Sequence, residues 1–185
     1  MVTSLAAISI LWQWALNGDF GLINQGLALI GIDGPNWLNE ASTSKPALVL
    51  MMVWKGIGFS MLLYLAALQS VPRSLYEAAE LDGAGSWTIF RRITFPMLRP
   101  VTFFLVVTNI IGGSQVFTEV NIMTPPTGGP EFSTATIVWY IWQKGFQNLQ
   151  LGGYATAMSL VLGLVIFVIT LIQFRLNARN SFSVE

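Results

Sequence analysis

The sequence predicts an all-α integral membrane protein, a polytopic bundle of membrane-spanning helices. Of its 185 residues, 54% are hydrophobic and 10% are charged, and the mean hydropathy is +0.62. A soluble domain usually carries about a quarter charged residues. The apolar residues form long blocks at 46–69, 100–122 and 154–174, and a helix needs about 20 such residues to cross a bilayer.

Composition also argues against several functions. The net charge is zero, so nothing indicates a nucleic-acid partner. The chain contains no cysteine and no histidine, which removes disulfides, thiolate chemistry, the commonest general base and the commonest zinc ligand. The sequence therefore predicts neither catalytic residues nor a metal site.

The first apolar segment, residues 1–16, has two interpretations. It is short for a full span at about 1.5 Å per helical residue. A helix lying on the membrane surface usually has a basic face, and this segment has no Lys or Arg. We therefore favour the remnant of a transmembrane helix, with the start of a longer protein missing and with Trp12 and Trp14 at an interface.

The next segments alternate between water and membrane. Residues 17–45 form a polar connection, and residues 46–69 form a span that begins at Pro46, a residue suited to a first helical turn. Lys55 lies inside this span. An intramembrane charge suggests a functional site, but a Lys stem also extends readily to the nearer interface, so both interpretations stay open.

The C-terminal half contains one aromatic segment and one pattern of small residues. Residues 133–145 are predicted to form an external interfacial helix, part of an aromatic belt with Trp139, Tyr140 and Trp142. The span at 154–174 carries small residues four apart, a spacing that lets helices pack closely but that also arises by chance in Ala/Gly-rich segments. These small residues are Ala155, Ser159 and Gly163.

Basic residues predict the orientation in the membrane. Two spans separate the central loop from the C-terminal tail, so both are predicted to be cytoplasmic, and the loops at 17–45 and 121–153 are predicted to be external. The basic residues of the loop and the tail are Arg73, Arg91, Arg92, Arg99, Arg175 and Arg179.

The central loop, residues 71–99, is patterned throughout and holds three acidic and four basic residues. A first short helix is predicted with Ser70 as its N-cap and Pro72 in its first turn. It is predicted to end at Gly83, because only Gly adopts a positive φ cheaply. An ordinary connection between spans needs only a few residues, so this loop is predicted to dock a soluble partner.

A second short helix is predicted in the same loop. It is predicted to end at Phe95-Pro96, because a proline disfavours helical geometry in the residue before it. Its apolar residues recur at three- and four-residue steps: Trp87, Phe90, Ile93 and Met97.

The spacing of the central loop carries a family resemblance. The run Glu77-Ala78-Ala79 is followed after three residues by Gly83 and, after nine more, by Ile93-Thr94-Phe95-Pro96. This pattern resembles the EAA motif of binding-protein-dependent ABC importer permeases, with Phe95 where Leu is usual. Further runs resemble the carbohydrate-specific permeases of the maltose and glycerol-phosphate type, and the similarity covers essentially the whole chain. These runs are Asp82-Gly83-Ala84-Gly85, Trp54-Lys55-Gly56, Gln115-Val116-Phe117 and the Thr-Gly-Gly-Pro loop.

The resemblance implies a permease fold with a cytoplasmic coupling helix in the EAA loop. It implies a cytoplasmic ABC ATPase dimer, a second permease subunit and an extracytoplasmic solute-binding protein as partners, in the cytoplasmic (inner) membrane of a bacterium or archaeon. ATP and Mg²⁺ would be bound by the ATPase, and this chain would bind no cofactor and catalyse nothing. Such permeases have more spans than this sequence, which then corresponds to the C-terminal part of one. The residues implied in ATPase coupling are Glu77, Ala78, Ala79, Asp82, Gly83, Ala84, Gly85, Ile93 and Pro96.

Candidates for the substrate pathway are the polar residues of the 100–122 span, which Gly112-Gly113 is predicted to interrupt. They do not form one stripe, and hydrogen bonding between helices explains each of them equally well. Glu119 is alternatively predicted to pair with Lys55, since both lie towards the external half and pairing lowers the cost of each charge. The candidates are Asn109, Ser114, Gln115 and Glu119.

The predicted function is import of a sugar or sugar derivative, coupled to ATP hydrolysis by a separate subunit. An importer permease for a polyamine, an amino acid or an anion is an alternative, although an anion route favours several buried basic residues and only Lys55 is available. A membrane-embedded enzyme would need an Asp pair or a Ser-Lys dyad, and nothing marks Ser60 or Ser114 as a nucleophile. A passive channel does not need the long patterned loop.

Overall fold

The computed structural model describes residues 3–124, 127–147 and 151–181, with side chains as far as residue 177. Three features of the sequence fall outside these parts: the first two residues of the 1–16 segment, the Pro125-Pro126 pair of the loop at 121–153, and the side chain of Arg179.

The described residues are mostly helical, and none of them is in a strand. A 3₁₀ turn lies at Pro130–Phe132, and π-helical turns lie at Phe90–Thr94 and Gln143–Gln147. The α-helices are α1 (Leu5–Ala15), α2 (Leu22–Ala28), α3 (Ala41–Gln69), α4 (Arg73–Leu81), α5 (Ser86–Ile89), α6 (Phe95–Met97), α7 (Arg99–Ser114), α8 (Thr118–Met123), α9 (Ile137–Trp142) and α10 (Gly152–Ser181).

Two helices in the described part of the chain are long and apolar enough to cross a membrane, namely α3 and the Gly152–Asn177 part of α10. A third span is possible only if Ser86–Met97 and Arg99–Ser114, which are bent by 58° relative to each other, act as one. Helix α7 alone has 16 residues, fewer than the roughly 20 that a straight span needs.

Helix α3 begins earlier than the sequence predicts. It starts at Ala41 and encloses Pro46, so Pro46 is not in the first turn. The backbone N–H of Ser44 donates to the Glu40 carbonyl at 2.9 Å, and the Thr43 hydroxyl donates to the Trp37 carbonyl at 3.0 Å. These bonds form a polar turn before Pro46, whose missing N–H costs only one bond near the helix start.

The break in the predicted 100–122 span lies later than expected. Gly112 and Gly113 are inside α7, and the helix ends at Ser114. The chain then departs from helical geometry before α8, with Phe117 at φ −139° and ψ −57°. The Val116 carbonyl at this break accepts a hydrogen bond of 2.6 Å from the Thr136 hydroxyl, so a side chain distant in sequence takes an acceptor that a continuous helix would use.

The described residues form two compact units. The first comprises Met1–Trp54 and Ile111–Ile172. In it α1 packs on α8, and the Trp12 and Trp54 rings meet edge to face with their centroids 5.6 Å apart. The core of this unit is formed by Leu16, Leu38, Ala47, Leu48, Met51, Val116, Val120, Met123 and Trp139.

The position of Trp139 contradicts the predicted aromatic belt. Its side chain has no exposed surface, so it belongs to the core of the first unit and not to the membrane interface. The Thr136 hydroxyl caps α9 by accepting the Trp139 backbone N–H. Tyr140 and Trp142 remain half-buried, and the Lys144 ammonium lies 5.1 Å from the centre of the Tyr140 ring, a cation–π arrangement.

The small-residue pattern on α10 packs only in part within the chain. Ala155 is buried, and a Cβ atom added to Gly145 would lie 3.0 Å from the Cβ of Ala155. Ser159 and Gly163 are exposed. The close approach of Gly145 to Ala155 therefore explains the first of the three small residues, and close packing at the other two stays a prediction.

The second unit comprises Lys55–Ile110 and Gln173–Glu185. Within it the Tyr64 hydroxyl donates to the Thr102 hydroxyl at 3.0 Å, which joins α3 to α7. The Phe103 and Phe174 rings meet edge to face at 5.1 Å, which joins α7 to the end of α10. This unit carries the central loop.

Candidate functional site

The first helix of the central loop, α4, ends in a well-formed Schellman motif. Gly83 has φ +72°. Its N–H donates to the Glu80 carbonyl at 3.0 Å, and the N–H of Ala84 reaches back to the Ala79 carbonyl at 2.9 Å. This pair of bonds defines the motif, which needs a left-handed residue that Gly supplies without strain. The spacing from Ala79 to Gly83 therefore has a structural cause.

Steric crowding does not explain why position 83 is a glycine. A Cβ atom added to Gly83 would meet nothing within 4 Å. The same holds for Gly85, whose φ of −70° suits any residue. Within this chain, then, Gly83 is needed for its backbone conformation alone.

Helix α4 presents an exposed face. Glu77, Ala78 and Asp82 are all exposed, whereas Ala79 is half-buried. The two alanines therefore do not share one face. Leu81, at the end of α4, is 90% exposed, and Trp87, in α5, is 72% exposed.

The second part of the loop is more continuous than the sequence predicts. Phe95 has φ −62° and ψ −44°, which are helical values, and Pro96 lies inside α6. The π-helical turn at Phe90–Thr94 precedes it. A π turn shifts the hydrogen-bond ladder by one residue, so the proline fits without ending the helical path, and the predicted end at Phe95-Pro96 is wrong.

The predicted cap of α4 is also wrong. Pro72 is the N-cap residue of this helix, and no side chain caps it. The Ser70 hydroxyl instead donates to the Ala67 carbonyl at 2.7 Å. It therefore satisfies the C-terminal end of α3 and not the start of α4.

A contact that the sequence analysis missed joins the two parts of the loop. The hydroxyls of Tyr76 and Thr94 are 3.2 Å apart and hydrogen-bonded. The rings of Trp87 and Phe90 stack at 5.6 Å. Tyr76 directly precedes the Glu77-Ala78-Ala79 run, but nothing in the sequence separates a structural Tyr from an exposed one there. Ile93 and Pro96 are half-buried, and Ala84 is too.

The four substrate-pathway candidates do not share one helix. Asn109 is exposed on α7 in the second unit, and its amide donates to the Leu105 carbonyl at 2.7 Å. It lines a cavity of about 420 Å³ together with Ser60, Tyr64 and Thr102. Leu105, Val106 and Ile110 line the cavity as well, so Asn109 lies among both hydroxyl groups and apolar side chains.

The other three candidates belong to the first unit. Ser114 ends α7 and is half-buried, Gln115 is exposed at the break, and Glu119 is buried in α8 at 7% exposure. Since Asn109 is in a different unit, a common pathway through all four stays a prediction.

The proposed ion pair also joins residues of different units. Lys55 is half-buried in α3, in the second unit, and Glu119 is buried in the first. A buried carboxylate needs a partner or hydrogen bonds. The pairing of Glu119 with Lys55 stays a prediction.

Comparison with known proteins identifies the family. Residues 1–182 match the family described as "Binding-protein-dependent transport system inner membrane component". The chain belongs to this family. The match covers nearly every residue and so confirms the resemblance read from the central loop and the expectation of an integral membrane protein.

Relatives of this inner membrane component are named for sugar and glycerol-phosphate transport. The chain is 41% identical over 175 residues to the lactose transport system permease protein LacF of Rhizobium radiobacter, covering 94% of this chain and 58% of that protein. It is 41% identical over 179 residues to the sn-glycerol-3-phosphate transport system permease protein UgpA of Yersinia enterocolitica, with coverage of 95% and 58%.

A solved structure confirms the fold class. A chain of a bacterial ABC transporter involved in the import of the acidic polysaccharide alginate superposes with a TM-score of 0.84 at 30% identity. The match covers 96% of this inner membrane component and 62% of the alginate transporter chain. The protein thus has the all-α permease fold, and it spans less than two thirds of the length of each of these relatives.

Proposed function

We propose that this chain forms part of the permease subunit of an ABC importer that carries a sugar or sugar derivative across the cytoplasmic membrane. The observation that carries the proposal is the exposed face of α4. The loop around this face combines the EAA spacing, the Schellman end of α4 at Gly83 and two large exposed apolar side chains, Leu81 in α4 and Trp87 in α5.

The exposed face suits a rigid coupling element. Helix α4 has nine residues, too few to be stable alone in water. The Schellman motif fixes its end, and the bond between Tyr76 and Thr94 ties it to the second part of the loop. A partner that binds α4 and moves it therefore moves the whole loop. Because α7 directly follows the loop in the chain, that movement reaches α7.

The partners follow from this role. A soluble ATPase dimer receives α4 in a groove, closes on ATP and moves the spans between inward-facing and outward-facing forms. A second permease subunit completes the pathway, and an extracytoplasmic binding protein delivers the solute. The ATPase holds ATP and Mg²⁺, and this chain hydrolyses nothing. The central loop and the C-terminus are on the cytoplasmic side, as the distribution of Arg residues indicates.

Sugars are favoured as the solute for two reasons. One relative described above is named for lactose transport, and the matching solved structure is of a transporter involved in the import of the polysaccharide alginate. The cavity beside Asn109 is lined by the hydroxyl-bearing residues Ser60, Tyr64 and Thr102, and hydroxyls both donate and accept hydrogen bonds. A sugar offers the same groups in return.

A pull-down tests the proposal. The full-length protein is expressed with its ATPase, as wild type and as Gly83→Asp, and ATPase activity is measured with and without a sugar-loaded binding protein. We expect Gly83→Asp to lose most of the bound ATPase and the sugar-dependent stimulation, because a charged residue replaces Gly on the contact surface at a φ of +72°.

Gly26→Asp is the matched control. Gly26 lies in α2, and an added Cβ atom would meet nothing within 4 Å there, so the same substitution should insert normally and keep the ATPase. Failure of the wild type to bind an ATPase would overturn the proposal. ATPase binding without sugar-dependent stimulation would leave an ABC permease but contradict the sugar assignment.

A further inference from the structure

A cavity of about 320 Å³ in the first unit is lined by five side-chain amides. It lies between the end of α1, the segment before α3, and α8. We call it the carboxamide cleft. Its amide residues are Gln13, Asn17, Asn36, Asn39 and Asn121.

Several of these amides retain free hydrogen-bonding groups. Asn17 uses its oxygen to accept the backbone N–H groups of Asp19 and Phe20 at 2.9 and 3.1 Å, which leaves its NH₂ group. Asn39 donates to the Asn36 oxygen at 3.1 Å, which leaves its own oxygen. In the described part of the chain, the amides of Gln13 and Asn121 have no hydrogen-bond partner. The cleft therefore offers donors and acceptors together.

The wall of the cleft is held in place by close packing. A Cβ atom added to Gly18 would lie 2.9 Å from the Asn36 side chain. The absence of a side chain at Gly18 therefore lets the backbone at position 18 approach Asn36 closely, so that Asn36 stays beside the cleft. Asn24 fastens the same loop by donating to the carbonyls of Gly18 and Gly34. These contacts hold the backbone on either side of Asn36 in place, which lowers the entropic cost of binding there.

The chemistry of the lining selects the ligand class. No residue lining the cleft is charged, and Glu40 accepts the Asn36 backbone N–H at 3.1 Å nearby. An anion would enter without a positive partner and beside a carboxylate. Leu16, Leu38 and Met123 give the cleft an apolar side. Amides with an apolar floor suit hydroxyl groups on a ring with apolar faces.

We propose that the carboxamide cleft is an external binding subsite for an uncharged, hydroxyl-rich solute such as a neutral saccharide. The inference rests on the proposed function, since it places the cleft on the external side of the permease. Its volume is at the lower end of the range for ligand sites, about 300–1,000 Å³, and accommodates one sugar ring. The cleft is separate from the cavity beside Asn109, which belongs to the second unit.

Cysteine labelling tests the cleft directly, because this chain contains no native cysteine. Asn39→Cys and Asn121→Cys are made singly in the full-length permease, assembled with its ATPase in lipid nanodiscs. The rate of reaction with a maleimide is measured alone, with lactose, maltose or sucrose, and with sn-glycerol 3-phosphate. Gln147→Cys is the matched control, an exposed amide position outside the cleft.

At least one neutral sugar should slow labelling at positions 39 and 121. The slowing is about fourfold at three times its Kd, because the reagent reacts only with the empty cleft. Position 147 should react at the same rate throughout, and sn-glycerol 3-phosphate should protect neither cleft position.

Three results would overturn the inference. They are the absence of protection by every neutral sugar, equal protection by the phosphate, and cysteines that do not react even without sugar because protein covers the cleft. Each differs from failure of the proposed function, which shows as loss of ATPase binding or stimulation and does not depend on labelling.

Discussion

The side-chain oxygen of Asn24 accepts a hydrogen bond from the indole N–H of Trp37 at 2.6 Å. The amide group of Asn24 also donates to the carbonyls of Gly18, Gly34 and Pro35, at 2.9, 3.2 and 3.1 Å. One side chain therefore holds together both ends of the segment between α1 and α3. This segment forms one wall of the carboxamide cleft.

Asn24→Ala should loosen that segment and destabilise the protein by about 1–3 kcal/mol, because the half-buried Trp37 indole and three carbonyls lose their partner. The measurement is thermal unfolding of the full-length complex, together with the rate of proteolysis between residues 18 and 37. Gln25→Ala is the control, since Gln25 is exposed and, among the described residues, its side-chain amide donates only to the Phe20 carbonyl. Equal effects of the two substitutions would show that the Asn24 contacts are not important.

Gly83 should be replaceable by Asn but not by Ala. At φ +72° an L-residue costs roughly 1–2 kcal/mol, and Asn pays less of this than Ala because it adopts the left-handed region more readily. We expect Gly83→Ala to weaken ATPase binding about fivefold, which corresponds to about 1 kcal/mol, and Gly83→Asn to weaken it less.

The measurement for Gly83 is the Kd of the ATPase for the permease in nanodiscs. Gly85→Ala serves for comparison, because its φ of −70° accepts any residue. If Ala and Asn at position 83 weakened binding equally, or if Asn were worse, the size of the side chain against the ATPase would be decisive and not the backbone conformation.

Local sequence signals predicted much of the fold and of the central loop. The long apolar segments predicted α3 and α10, and the glycine at position 83 predicted the end of α4, because these features depend on neighbouring residues. The break after Ser114 and the burial of Trp139 were not predictable in this way. Both depend on contacts across the fold, such as the bond from Thr136 to Val116, 20 residues away in sequence.

The candidate functional residues were also predictable only in part from the sequence. The motif identified the loop, but Tyr76 and Thr94 are 18 residues apart, and no local pattern links them. The amides of the carboxamide cleft come from three separate parts of the chain, at Gln13 and Asn17, at Asn36 and Asn39, and at Asn121. A scattered set of single Asn and Gln residues gives no periodic signal.

Lys55→Met should destabilise the protein if Lys55 pairs with Glu119, because the substitution leaves a buried carboxylate without its charge partner. Glu119→Gln removes that charge, so the double variant should recover most of the lost stability. The measurement is the amount of folded, ATPase-bound permease and its Tm. A double variant no better than Lys55→Met would show that the two residues do not pair.

Thr136→Val should destabilise the first unit by about 1–3 kcal/mol, because it leaves a buried carbonyl without its donor. The Thr136 hydroxyl donates to the Val116 carbonyl at 2.6 Å and accepts the Trp139 N–H at 3.2 Å, so its loss affects both the break after α7 and the start of α9. Val has nearly the same shape as Thr, and the effect therefore reports the hydroxyl alone.

Two further variants make the Thr136 result specific. Thr136→Ser keeps the hydroxyl and should retain most of the stability. Thr156→Val is the matched control, because the Thr156 hydroxyl is exposed and, within the described part of the chain, bonds only to the Gly152 carbonyl of its own helix at 2.9 Å. Thermal unfolding of the full-length complex measures all three. If Thr136→Val were as mild as Thr156→Val, the Val116 carbonyl would need no donor, and the break after α7 would have to come from the residues of the break itself.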